Sequence, residues 1–272
     1  MKNIVLTMTL GFWLIFSAFP LNCPAQTSLP ADLSRYQDTF ERFRHDLWET
    51  IGFIPGQEKR QAHFKLADVR TEKGRLRVET KTGNFSLGGL GSKFSIRGDF
   101  DIQIDCAVEL KNDLSDMEQL ALFHVLDKTK ELQDQEVESV NIVIFKPAVR
   151  EPSRAPMRQA SKPPVRNAVF LFTGYTEKGK YSIGSRKETD GFKGSLRITR
   201  EGNRITTLYK KEDEPDWQKM HSFSRPASDV VVGFKAQNFG RERTTIGASA
   251  PFVTFFDNFK VNSAQEIIES EI

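Results

Sequence analysis

The sequence predicts an all-β protein, a two-sheet antiparallel sandwich, and three observations carry that prediction. The first is Arg97–Leu110, RGDFDIQIDCAVEL, where Phe100, Ile102, Ile104, Cys106, Val108 and Leu110 face one way while Asp99, Asp101, Gln103, Asp105 and Glu109 face the other. Only an extended strand sorts residues with period two, and one face of its sheet must then pack on a core. The second is a hairpin: Ser195–Arg200 (SLRITR) turns at Glu201-Gly202-Asn203 and returns as Arg204–Lys210 (RITTLYK). A short Gly-containing loop between two alternating runs is a strong hairpin signal. The third is rhythm, with roughly a dozen strand-like runs separated by turn signals every 8–12 residues or so, as in a sandwich.

The elements follow in order. Met1–Ala25 has the layout of an export signal, with Lys2, the apolar stretch Ile4–Phe19, and Cys23-Pro24-Ala25 ending in a small residue before Gln26. The apolar run is shorter than a spanning helix requires and is diluted by Thr7, Thr9, Gly11 and Ser17. Cleavage there leaves a periplasmic or extracellular protein with no membrane span; lipid modification at Cys23 is a rival, with Leu21 and Asn22 poorly placed for it. Residues 26–37 read as a polar leader, 38–262 as the sandwich domain and 263–272 as a tail.

Within the domain, Tyr36–Trp48 fits a short helix or an irregular aromatic entry. Ala62–Arg70 and Arg75–Thr82 read as strands, and the glycine-rich Gly83–Gly91 as a flexible turn. Leu120–Leu126 fits helix or strand; pairing with Ser139–Phe145 (SVNIVIF) favours the strand. Lys146–Asn167 holds Pro147, Pro152, Pro156, Pro163 and Pro164 with Arg150, Arg154, Arg158, Lys162 and Arg166 interspersed, which excludes helix and central strand and predicts an extended basic loop. Ala168–Tyr175, Lys180–Gly184, Val230–Ala236 and Pro251–Val261 supply the remaining strands.

Composition narrows the function. The formal charge of +3, from 39 basic and 36 acidic side chains, lacks the basic excess of a nucleic-acid partner. Four His without metal-like spacing argue against zinc or iron. Removal of Cys23 with the signal leaves Cys106 alone, so no internal disulfide forms and the 22 Phe must supply the core. His124, inside an apolar strand, reads first as a structural histidine and second as a catalytic base.

An ordered set of short motifs runs from Asp38 to Val261: Asp38-x-Phe40 with Trp48, Gly98-Asp99-Phe100 opening the alternating strand, the Leu196–Tyr209 hairpin with Trp217, and Val253–Val261 (VTFFDNFKV). This set resembles concanavalin A-like lectin and glucanase domains. The resemblance implies a jelly-roll of two curved sheets, with any ligand on the concave face or its rim loops. It also implies a structural calcium between the first and last strands, for which Asp38 and Asp257, with Asn258, are the candidates.

The fold hosts both binders and enzymes. Glycoside hydrolysis needs two carboxylates at fixed separation, and the E-x-D-x-E type of pattern that hydrolases of this fold carry is missing. Asp99, Asp101 and Asp105 share a strand face and could crowd as a catalytic group, or simply be solvated. Carbohydrate binding needs an aromatic platform and planar polar partners. Trp217 leads the platforms, with Tyr209, Tyr175, Tyr181 and Trp48 behind it. Arg197, Asn238, Arg241 and Arg243 are the candidate hydrogen-bond partners. The expectation is therefore a non-catalytic module that binds a polysaccharide or glycan, the alternative a hydrolase or lyase with a non-standard carboxylate site.

Overall fold

The computed structural model describes residues 32–51, 64–83, 85–109, 118–128, 138–147, 169–177, 180–189, 191–239 and 251–269. The expected export segment Met1–Ala25 and nearly all of the Pro/Arg stretch lie outside these residues, as do Arg241 and Arg243.

Among the described residues the regular structure is β-strand, nearly all antiparallel, apart from one 3₁₀ turn, Leu33–Tyr36, capped by the Asp32 side chain. Fourteen strands follow: β1 (Trp48–Thr50), β2 (Phe64–Leu66), β3 (Asp68–Thr71), β4 (Leu76–Glu79), β5 (Phe85–Glu109), β6 (Glu118–Asp127), β7 (Ser139–Lys146), β8 (Val169–Glu177), β9 (Lys180–Thr189), β10 (Phe192–Glu201), β11 (Arg204–Lys211), β12 (Gln218–Ser224), β13 (Val230–Phe239) and β14 (Val253–Glu269). The one parallel contact is β2 on β5.

β5 organises the molecule because it belongs to both layers. Its first half pairs with β13, and from there one layer runs β13-β6-β7-β8-β9; β1 and β2 lie on its other side. Its second half pairs with β10, continuing to β11 and β12, and on the other side with β14, then β4 and β3. We call these layers sheet A and sheet B. The strand changes layer around Gly98, whose φ of +72° suits glycine, and a side chain there would collide with Gln265.

Three expectations change on this frame. The Gly83–Gly91 stretch is not a loose turn but largely the start of β5. Gly88 lies under Ala67 and Val69, and Gly89 lies against the backbone of Phe234 and Lys235, so the glycines are there for close approach of neighbouring chain. The sequence ending at residue 262 in the domain reading continues as strand: β14 runs to Glu269 and pairs Ser263 with Asp101 and Glu269 with Phe94. Tyr36 and Leu33, placed in the leader, join the core.

The core lies between the layers. Trp48, 1% exposed, packs its ring edge-on against Phe234 and Phe259 at 5.0 Å each, with Phe40 alongside. Its indole Nε1–H donates to Asp38 Oδ2 at 2.7 Å, so a wholly buried aromatic still has its polar atom satisfied. Polar contacts also cross the interior, between the Thr173 and Thr207 hydroxyls at 2.8 Å and from Lys187 Nζ to the Tyr209 hydroxyl at 2.6 Å. Cys106 sits in this core at 3% exposure, where burial pushes its thiol up and removes any reactive role.

Candidate functional site

The strand registers define the outer face of sheet A row by row. One row reads Gly91 (β5), Gly233 (β13), His124 (β6), Asn141 (β7), Gly174 (β8), Ile183 (β9). The next reads Gly89, Lys235, Leu122, Val143, Phe172, Arg186. On the other side of the first row lie Val231, Leu126, Ser139, Thr176 and Tyr181.

The glycines of the first row make room for neighbouring rings. A Cβ on Gly233 would meet His124 Nε2 at 2.5 Å, and one on Gly174 would meet the Tyr181 hydroxyl at 1.9 Å. His124 therefore lies flat over β13 and Tyr181 leans over β8. The Tyr181 hydroxyl pairs with the Asn141 side chain, and burial of that end pushes the phenol up to about 12. Its ring remains half exposed, at 49%. Asn141 donates to Ser139 Oγ at 3.4 Å, which in turn reaches Thr176 Oγ1 at 3.3 Å. Beyond this polar row the face turns apolar, with Leu120, Leu122, Val143 and Phe172 buried together and Phe145 against them.

Two ionisable groups stand in these surroundings. His124 is 2% exposed, and its Nδ1 has no hydrogen-bond partner among the described residues. Burial, helped by the charge of Lys235, holds its imidazole well below the usual range, so it is neutral at pH 7. Lys235, half-buried on β13, is pushed down to about 8 by desolvation alone.

The outer face of sheet B is different. Asp101 is held by Arg197 (Nε to Oδ1 2.8 Å) and by Asn262 at 3.1 Å. Asp105 accepts from Ser195 Oγ at 2.6 Å and Asn258 Nδ2 at 2.9 Å, and Asp99 accepts the Gly202 amide at 2.6 Å. Each carboxylate thus holds neighbouring strands or the hairpin turn together. The three are spread among separate partners.

The residues expected to bind a ligand are not brought together. Trp217 and Arg197 do meet on sheet B, where the Arg197 guanidinium lies 5.3 Å from the indole and Lys210 lies 5.4 Å from it. Tyr209, expected beside them, is an interior residue at 5% exposure and cannot serve as an open platform. Asn238 is fully buried: its amide accepts the Ser86 N–H at 2.5 Å and donates to the Lys81 carbonyl at 2.9 Å, fixing the end of β13 to β5. Arg241 falls outside the described residues. Of the other aromatic candidates, Trp48 is core, Tyr175 packs inside on Phe223 at 4.6 Å, and Tyr181 is the exposed one.

The calcium pair is also divided. Asp38 points inward, accepting from the Phe40 amide at 2.8 Å and from Trp48, and desolvation raises its carboxyl despite those bonds. Asp257 is half-buried opposite Asp105 on the outer side of sheet B, where its Oδ1 accepts the Asn258 amide at 2.7 Å. Among the described residues no three His, Cys, Asp or Glu side chains gather to hold a metal. A small pocket at one end of the sandwich, lined by Arg200, Arg225, Asp127 and Glu138, has mixed charges, with Arg225 bound to Glu138 at 3.0 Å.

His124 had been noticed in the sequence, whereas Lys235 had not. Its signal was present: Val230, Val232, Phe234 and Ala236 alternate inward, which sends Lys235 to the face where β6 and β7 are also apolar.

Comparison with known proteins places the chain. Residues 21–244 match the family model described as protein of unknown function (DUF1583) C domain. The chain belongs to this family. No curated protein matches it. Among solved structures it is similar to a glycoside hydrolase family protein from Mycobacterium thermorestibile, with TM-score 0.55 and 12% identity over 83% of this chain and 99% of that one. It is also similar to the Bacillus licheniformis β-glucanase, with TM-score 0.51 and 10% identity over 83% and 96%. A third is the CBM2 module of the Lactobacillus casei BL23 phage J-1 evolved Dit, with TM-score 0.51 and 9% identity over 85% and 96%. At such identities these likenesses show the fold, the concanavalin A-like jelly-roll sandwich expected from the motifs.

Proposed function

We propose that this DUF1583 domain is a non-catalytic glycan-binding module whose ligand lies against strand β9, at the exposed edge of the outer face of sheet A. The observation that carries the reading is Tyr181: a half-exposed ring, held by Asn141 over Gly174, at the edge of a row flattened by glycines. Such a ring covers the apolar face of a sugar while neighbouring amides and hydroxyls take its hydroxyls. Structural neighbours that include a β-glucanase support a carbohydrate-related role. For the non-catalytic part, Glu49 and Glu118 of this face stand at opposite margins, too far apart to act together as an acid and base pair. Export, proposed from residues 1–25, places the module where polysaccharides are met.

Binding of soluble oligosaccharides to the full chain tests the reading. Tyr181→Ala is expected to weaken binding tenfold or more at unchanged melting temperature, and Trp217→Ala to leave it unchanged. Loss in Trp217→Ala alone would move the site to sheet B, and hydrolysis or elimination of any oligosaccharide would overturn the non-catalytic assignment.

A further inference from the structure

Sheet A ends on β9, and among the described residues no backbone hydrogen bond joins that strand to any other but β8. Folded proteins blunt such edges by keeping them short or charging them, because a row of free N–H and C=O groups is a template for another strand. Other edge strands of this fold follow that rule. β2 has three residues, β3 has four with Asp68 and Arg70 in ion pairs, and β12 has seven, beginning Gln218-Lys219. β9 has ten, and its first half carries Tyr181 and Ile183 at 49% and 53% exposure. Among the described residues the other exposed large apolar side chain is Leu66, so this one short stretch holds most of the open apolar surface. The cations Arg186 and Lys187 lie past the bulge that faces Thr173 and Gly174, where one stacks on Phe170 at 3.7 Å and the other donates to the Tyr209 hydroxyl. His221 stands where a Gly184 side chain would point, so it meets β9 from a face of the sheet and leaves the edge open.

The stretch Lys180–Gly184 is complementary to itself. In an antiparallel pair centred on Ser182, Tyr181 lies opposite the partner's Ile183 and Ile183 opposite the partner's Tyr181, which makes two identical aromatic–β-branched pairs. Lys180 then lies opposite the partner's Gly184, so no two cations face each other. Other registers are worse. Centring on Ile183 sets Lys180 against the partner's Arg186, and like charges directly opposite destabilise a pair. Centring on Tyr181 runs Ile183 past the start of the partner's β9, and centres beyond Ile183 cross the bulge. A contact of this kind uses the same surface on both copies and closes on a twofold axis.

We propose that β9 pairs about Ser182 with β9 of a second copy of this chain, and that the two Tyr181 rings form one glycan site across the junction. The inference rests on the reading of β9 as the ligand's edge and names the partner that completes the site. Side chains opposite each other in a ladder share a face, so both rings stand on the outer side of the joined sheets. They are diagonal neighbours about 7–8 Å apart, so a glycan chain laid across the junction meets a ring from each copy. Binding to both copies at once tightens the dimer by mass action.

The test combines cross-linking with sedimentation of the full chain in a Cys23→Ser background, with the buried Cys106 left in place. Ser182→Cys is expected to give a disulfide-linked dimer on mild oxidation, since facing Cα atoms of an antiparallel pair stand about 4.5–5.5 Å apart, within disulfide range. Lys180→Cys is expected to give none, its two copies lying about 14 Å apart in that register. Sedimentation is expected to show a dimer that Ile183→Lys weakens tenfold or more and Trp217→Ala leaves unchanged. A β-glucan hexamer is expected to bind one per two chains and to tighten that dimer. Cross-linking through Lys180→Cys as readily as through Ser182→Cys would overturn the register. A chain that stays monomeric at every concentration, or a dimer indifferent to Ile183→Lys, would overturn the pairing. Hexamer bound by such a monomer would leave the glycan reading standing without the partner. A dimer cross-linked through Ser182→Cys that binds no hexamer would uphold the pairing and remove the shared glycan site.

Discussion

The outer faces of sheets A and B use charge in opposite ways. On sheet B, Asp99, Asp101 and Asp105 of β5 have named partners: Arg197 and Asn262 for Asp101, Ser195 and Asn258 for Asp105, the Gly202 amide for Asp99. These groups are partly open to water, and Trp217 lies among two cations instead of in a pocket. On sheet A the centre of the equivalent surface is apolar and buried, and Lys235 on it has no ion pair or hydrogen bond among the described residues. A polar face whose bonds are all made within the protein is finished as a structure. A buried face with unanswered groups gives up stability, and such a cost is commonly carried at sites with a ligand.

Substitutions can break or sharpen this contrast. The largest effect is expected for Phe172→Ala in the apolar patch of sheet A, which should cost about 3–5 kcal/mol in urea unfolding by leaving a cavity, whereas Trp217→Ala on sheet B should cost under about 1 kcal/mol. Equal losses would erase the distinction between the faces.

Next is Lys235→Met, expected to stabilise by about 1–3 kcal/mol at pH 7, because it removes an unpaired charge from a desolvated position. The native pKa near 8 lies below the unfolded value of about 10.4, so the unfolded chain holds more protons between them. Wild-type stability therefore rises as pH increases through that window, and the variant should show no such rise.

His124 acts at lower pH. Its native pKa is depressed, so as pH falls below about 6.5 the unfolded chain takes up a proton that the folded one refuses. Stability should decline by up to about 1.4 kcal/mol per pH unit, and His124→Gln should abolish that component of the decline. The smallest effect is expected for Arg197→Ala. Its ion pair with Asp101 is partly solvated, at 28% and 16% side-chain exposure, and the change should cost about 1 kcal/mol or less in 0.15 M salt.

Much of the fold was legible because alternation reports burial locally. The second half of β5, the β10–β11 hairpin and the β6–β7 pair all lie where their patterns placed them. The first half of β5 was hidden, since glycines give no alternation and their purpose, contact with Ala67, Val69 and Phe234, lies in other strands. The helix-or-strand ambiguity at Leu120–Leu126 has a related origin: β6 is buried on both faces, which erases period two. The burial of Tyr209 is encoded locally, for Ile205, Thr207 and Tyr209 alternate together on the inward side of β11. The site itself was less legible. That His124 lies over Gly233 and beside Lys235 depends on β6 pairing with β13, more than a hundred positions later in the chain. No local pattern encodes such a register.

The shared strand also sets how the chain must fold. β5 is bound to β14 by side-chain bonds that span 153 and 161 positions, as from Asn258 to Asp105 and from Asn262 to Asp101. Neither layer is complete until β14 arrives, so loop closure across most of the chain precedes the reward of pairing. Such high contact order predicts folding in milliseconds to seconds. It also predicts that β5 spends the interval with an open edge, awaiting the last strand to be synthesised among those described here.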